Sequence, residues 1–159
     1  MIRILFDEIG ESYSDIFLKV DAKPSFLQVA DTYFLEDFLN GKFDTKEELV
    51  LGYLDYFKKK ILEFNNENTF IAFDLSDQYV GGLILAKEKK GLIKVEYGWN
   101  KKIEGWGVSQ TSLAKQVKEK RGDFKIDRDW LLSKDALIEG LNWSIEKIRK
   151  LPTTKPKLY

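Results

Sequence analysis

The chain has 159 residues, enough for one domain with a proper core, and its 26 basic and 26 acidic residues cancel to a net charge of zero. It contains neither Cys nor His, which excludes thiol nucleophiles, disulfides, Ser-His-Asp triads and any zinc centre built on imidazole or thiolate. Carboxylate chemistry, lysine chemistry and Mg or Ca sites made of oxygen ligands stay open.

In chain order, residues 1–7 alternate Ile2, Ile4 and Phe6 against Arg3, Leu5 and Asp7, and predict a strand. A turn at Gly10, Glu11 and Ser12 follows, and residues 15–20 alternate again, with Ile16, Leu18 and Val20 on one side. The two segments are expected to pair as a hairpin that Pro24 and Ser25 close. Within 26–39 the apolar residues take helical spacing only at the later positions, which predicts a short helix over 32–40, stopped by Asn40 and Gly41. Asp31, Glu36 and Asp37 lie off its apolar stripe.

The clearest helix comes next. Asp44 and Thr45 are both good caps, with Glu47 and Glu48 three residues on, and Val50, Leu54, Phe57, Ile61 and Phe64 make one apolar stripe. Acids in the first turn and Lys58, Lys59 and Lys60 near the last are accounted for by the helix dipole without any partner.

Residues 69–99 read as a three-stranded meander and the centre of a sheet. Gly81 and Gly82 mark a bulge or a close approach to another backbone; a phosphate loop would need a lysine and a helix start that are missing. In the third strand Ile93, Val95, Tyr97 and Trp99 face one way and Lys94, Glu96 and Gly98 the other, so one face is buried and one wet. Residues 104–111 set Trp106 between two glycines and predict a loop or kinked edge strand, with Trp106 either plugging the sheet end or standing out as an anchor. A short helix over 112–121 carries Lys115, Lys118, Lys120 and Arg121, and 124–132 resumes a mixed alternation. Ser133 caps a last helix with the stripe Ile138, Leu141, Ile145 and Ile148, which Pro152 ends.

The fold expected from these elements is α+β: one domain over 1–151, an antiparallel or mixed sheet of five to six strands with two main amphipathic helices packed on it, and a frayed tail over 152–159. No apolar run reaches the roughly eighteen residues of a membrane span, and Asp7 and Glu8 cut short any secretory signal, so a cytoplasmic location is expected.

The zero net charge hides two unlike halves: residues 1–77 hold 16 acidic and 8 basic residues, while 78–159 hold 10 acidic and 18 basic. Such asymmetry points to a charged partner. Three function classes compete. A glycoside hydrolase would need two of Asp74, Glu96 and Glu104 to converge, with Trp99 and Trp106 as sugar platforms. A nucleic-acid module would use the basic half, but Glu119, Asp123, Asp127 and Asp129 interrupt it. A protein-recognition domain needs no reactive group, only aromatic anchors and complementary charge.

The third class gains from a resemblance. A lone α+β domain with the aromatic and acidic segment Asp31, Thr32, Tyr33, Phe34, Leu35, Glu36, Asp37, Phe38, and with Gly105, Trp106, Gly107, Val108, Ser109, Gln110, resembles the small immunity proteins encoded beside bacterial contact-dependent and polymorphic toxins. The resemblance implies a stoichiometric inhibitor that blocks a toxin domain, often a nuclease, and carries over no shared functional residues. It implies no cofactor, metal or catalytic residue. The expected contact face is Asp31, Glu36, Asp37, Asp44, Glu47, Glu48 and Asp55, with Trp106 as its aromatic anchor.

Overall fold

The computed structural model describes residues 1–7, 14–65 and 67–151. The expected N-terminal hairpin forms: β1 (Ile2–Phe6) pairs antiparallel with β2 (Ser14–Val20), and Ile4 faces Leu18. The pattern that hid the next strand is instructive. In β3 (Phe26–Asp31) Ala30 is buried and Phe26 half-buried, while Leu27 and Val29 stand out exposed, so apolar residues occupy both faces and no polar alternation betrays the strand. β3 completes a first sheet in the order β1-β2-β3.

The chain then turns through a 3-10 segment, Thr32–Phe34, into the short α1 (Leu35–Leu39), ended by Asn40 in the left-handed region. The long α2 (Lys46–Glu63) starts at Thr45, whose hydroxyl accepts from the Glu48 N–H at 3.2 Å. The meander follows as β4 (Thr69–Leu75), β5 (Val80–Lys87) and β6 (Leu92–Asn100). After α3 (Gln110–Glu119) comes β7 (Lys125–Ser133), which completes a second antiparallel sheet in the order β4-β5-β6-β7, and α4 (Lys134–Arg149) closes the fold. The architecture is therefore α+β, with seven strands in two antiparallel sheets and four helices among the described residues. This corrects the expected five to six strands and two main helices.

Bulges place residues that simple alternation misassigns. The β2-β3 register shifts between Ser14 and Ile16, so Asp15 and Ile16, neighbours in sequence, are both fully buried. The glycine pair does what its lack of side chains suggests: a Cβ at Gly82 would drive into the Ile71 carbonyl, and the β4-β5 register shifts beside it.

The two sheets share one core. Phe26 of β3 meets Tyr97 at 4.9 Å between ring centroids and Trp130 at 5.5 Å, and the Trp130 indole N–H donates to the Pro24 carbonyl at 2.8 Å. Helices seal two sheet edges, the ordinary protection against unwanted strand pairing. On β4 the Tyr53 hydroxyl donates to the Ala72 carbonyl (2.7 Å) and the Tyr56 hydroxyl accepts the Ala72 N–H (3.1 Å), both tyrosines coming from α2. On β1 the Ile4 N–H donates to Ser144 of α4 (2.9 Å), and Gly140 lets that helix lie against the Ile2 carbonyl. No helix among the described residues is long and apolar enough to cross a membrane. The turn expected at Gly10 to Ser12 and the tail 152–159 fall outside the described residues.

Candidate protein-recognition face

Two acids from separate strands, Asp15 and Asp31, fix the loop that carries the exposed Tyr33. The wholly buried Asp15 accepts the Thr32 N–H at 3.0 Å and the Thr32 hydroxyl at 2.8 Å, and pairs with Lys46 at 3.0 Å. Asp31 caps the 3-10 segment by accepting the Tyr33 N–H at 2.7 Å. With Thr32 held inward, Tyr33 is turned out and is 63% exposed. Partial burial raises the Asp31 carboxyl above its usual range, helped by the nearby Asp15 carboxylate and opposed by the Tyr33 N–H and Lys46. Asp74, at the end of β4, is pushed up by burial, and the charge of Asp31 adds to this; the Tyr79 hydroxyl, donating at 2.8 Å, works against it. Burial and that same bond push Tyr79 up to about 12.

Trp106 joins this loop from the other half of the chain. The Gly105 N–H donates to the Ser76 carbonyl at 2.6 Å, and a Cβ there would sit 2.7 Å from Ser76 backbone atoms, so a glycine is required for the approach. Gly107 supplies the left-handed turn (φ 62°) that leads to Ser109, the cap of α3. Between these two constraints Trp106 is left 64% exposed rather than plugging the sheet end. Its ring meets Phe34 at 6.4 Å and Phe34 meets Tyr33 at 5.3 Å, both edge-to-face, so Tyr33, Phe34 and Trp106 form a continuous aromatic series.

The expected acidic residues divide. Glu36 and Asp37 are exposed on α1, directly after Phe34. Asp44 and Glu48 are exposed at the start of α2, where the Asp44 N–H donates to the Glu48 carboxylate at 3.0 Å. Asp55 is exposed and lies seven residues beyond Glu48, two turns along the same helix face. Asp31 is only half-buried. Glu47 is the correction: at 6% exposure its side chain is turned into the protein, because position 47 falls next to the buried stripe of Val50 and Leu54. Tyr33 and Phe34 join the candidate face although charge and periodicity did not mark them as contacts. The signal was the Asp31-Thr32 pair, an acid able to cap its own following turn.

Of the carboxylates weighed for glycoside hydrolysis, Glu96 stands apart from Asp74. Glu96 shares a cross-strand row with Ile84 and Phe70, four residues from Asp74 along β4, or roughly 13 Å at the rise of a strand. It is paired with Lys94 at 2.8 Å. Glu104 is exposed in the loop before Trp106. Among the described residues no cluster of three or more acids is placed to hold a metal ion. In the basic half, Lys120 donates to the Lys102 carbonyl and Lys102 pairs with Asp123, which draws these cations into the fold's own contacts. No protein-family model, curated protein or solved structure matches the chain.

Proposed function

We propose that the protein is a stoichiometric inhibitor of the immunity type, which neutralises a cognate toxin domain by covering its basic working surface. The observation that carries this reading is the aromatic series of exposed Tyr33, half-buried Phe34 and exposed Trp106, bordered by Asp31, Glu36 and Asp37. Large aromatics held rigidly at low entropic cost are what protein interfaces use as anchors, and acids around them steer a basic surface into register. Asp44, Glu48 and Asp55 extend the negative surface along α2. A nuclease is the favoured target class, since a cleft that holds phosphates presents the complementary charge.

The test is a titration against the toxin domain encoded beside the gene, read by calorimetry and by protection of growth or of a nucleic-acid substrate. A one-to-one complex, inhibition, and loss of both with Trp106→Ala support the proposal. Absence of binding, or a complex unaffected by Trp106→Ala together with Glu36→Lys and Asp37→Lys, refutes it.

A further inference from the structure

A second, separate site lies one turn farther along the chain, where α1 faces α2 and α3. Where Phe34 points to Trp106, Phe38 one turn later points into a cavity of about 670 Å³ between α2, α3 and the open end of β4. That volume falls within the roughly 300–1,000 Å³ of small-molecule sites. Its wall is apolar and largely aromatic: Phe38, Tyr56, Phe70, Leu113, Val117 and Phe124.

The stripe that α3 turns to this cavity is ordered along its length. Gln110, Leu113, Ala114, Val117 and Lys118 of α3 recur at three and four residues, with Arg121 just past its end, so the lining turns cationic toward the helix C-terminus. Lys60 of α2 lines it too, with its ammonium 6.0 Å from the centre of the Tyr56 ring. Among the described residues neither Lys118 nor Arg121 pairs with a carboxylate, and Glu67 is the one acid of the lining. Helix-end electrostatics account for cations in the last turn of α3. Lys60 likewise stands in the last turn of α2, so the C-terminal ends of two helices deliver their cations to one cavity.

We infer that this cavity binds a small amphipathic anion, an apolar tail headed by a single carboxylate, with the tail among Phe38, Phe70, Leu113 and Phe124 and the head held by Lys60, Lys118 and Arg121. The arginine fork matches a carboxylate in two bonds, and burial of the tail supplies the remaining affinity.

Decanoate is the probe, with 1-decanol as its uncharged counterpart, each titrated into the full chain by calorimetry and followed by amide chemical shifts. Saturable one-site decanoate binding is expected, with shifts confined to α3, the start of β4 and the Tyr56 turn of α2. Charge reversal of the two exposed cations, Lys118→Glu with Arg121→Glu, is expected to weaken it at least about tenfold, the worth of one charge-assisted hydrogen bond. Val117→Trp, with its far-UV circular dichroism checked against the parent, is expected to abolish binding by filling the cavity. The inference is overturned if decanoate shows no saturable binding up to millimolar concentrations, if 1-decanol binds as tightly, or if the charge-reversed protein binds equally well.

Discussion

Replacing Asp15 by alanine is expected to destabilise the protein by about 3 kcal/mol and to disorder the aromatic loop it supports. Its carboxylate is fully buried and accepts two hydrogen bonds from Thr32, while Lys46, its ionic partner, is half exposed. Alanine would strand the Thr32 N–H and hydroxyl at a position only 3% exposed. Two bonds to a charged acceptor are worth roughly 1.5–3 kcal/mol each, and part of that sum is returned because a carboxylate no longer has to be desolvated. Lys46 simply regains water. At roughly 2–4 °C per kcal/mol for a chain of this size, Tm should fall by about 6–12 °C. Asparagine is the discriminating variant. Its amide oxygen accepts the Thr32 N–H and its amine donates to the Thr32 oxygen, so only the half-exposed pair with Lys46 is lost, at about 1 kcal/mol or less. Urea titrations should therefore rank the parent slightly above Asp15→Asn and both well above Asp15→Ala. The near-ultraviolet dichroism of Tyr33 and its neighbours should be lost only in the alanine variant. If asparagine proves as damaging as alanine, charge rather than hydrogen bonding holds the loop and the reasoning fails.

Three other outcomes are expected. Trp106→Ala removes a side chain that is mostly in water, so its unfolding free energy should stay within about 0.5 kcal/mol of the parent, while affinity for the toxin partner drops by roughly 2 kcal/mol, near thirtyfold; a large loss of stability would show that the ring is structural. Gly140→Ala should lower Tm even though alanine is the better helix former by about 1 kcal/mol, because the new methyl meets the Ile2 carbonyl of an edge strand; a rise in Tm would mean that the seam between α4 and β1 gives way freely. Asp74→Asn should raise Tm at neutral pH. Burial holds the Asp74 carboxyl above its unfolded value, so the folded chain keeps a proton that the unfolded chain gives up, and stability declines as pH rises through that window. Asparagine keeps an acceptor for Tyr79 and removes the penalty, and its advantage should vanish toward about pH 4, near the ordinary aspartate value; an advantage that persists in acid would refute the assignment.

How far the fold was legible depended on whether burial was one-sided. β4, β5 and β6 could be read almost to the residue, and the caps Thr45 and Ser133 start α2 and α4 as their side chains predict. β3 escaped because Leu27 and Val29 on its outer face are as apolar as Phe26 and Ala30 on its inner one. The buried stripe of α2 came out wider than the predicted one for a related reason: α1, α4 and β4 all pack around it, so Leu49, Tyr53 and Tyr56 are buried beside Val50, Leu54, Phe57 and Ile61.

The candidate face shows the same limit in a sharper form. Alternation over residues 15–20 gives Asp15 no reason to be inside, and only the bulge, a property of the pairing with β3, turns it to Thr32. The platform of Tyr33 and Phe34 depends on that buried acid, and Trp106 reaches it only because Gly105 can lie against Ser76, some thirty residues earlier in the chain. Residue type told which side chains could recognise a partner. Which of them stand together was decided by one register shift and one missing Cβ, and neither has a signature within any single segment. The same dependence makes the site fragile in a specific way: a substitution at Gly105, which touches none of the three aromatics, should separate Trp106 from Phe34 and weaken partner binding as much as deleting the indole, with a lower Tm that Trp106→Ala does not share.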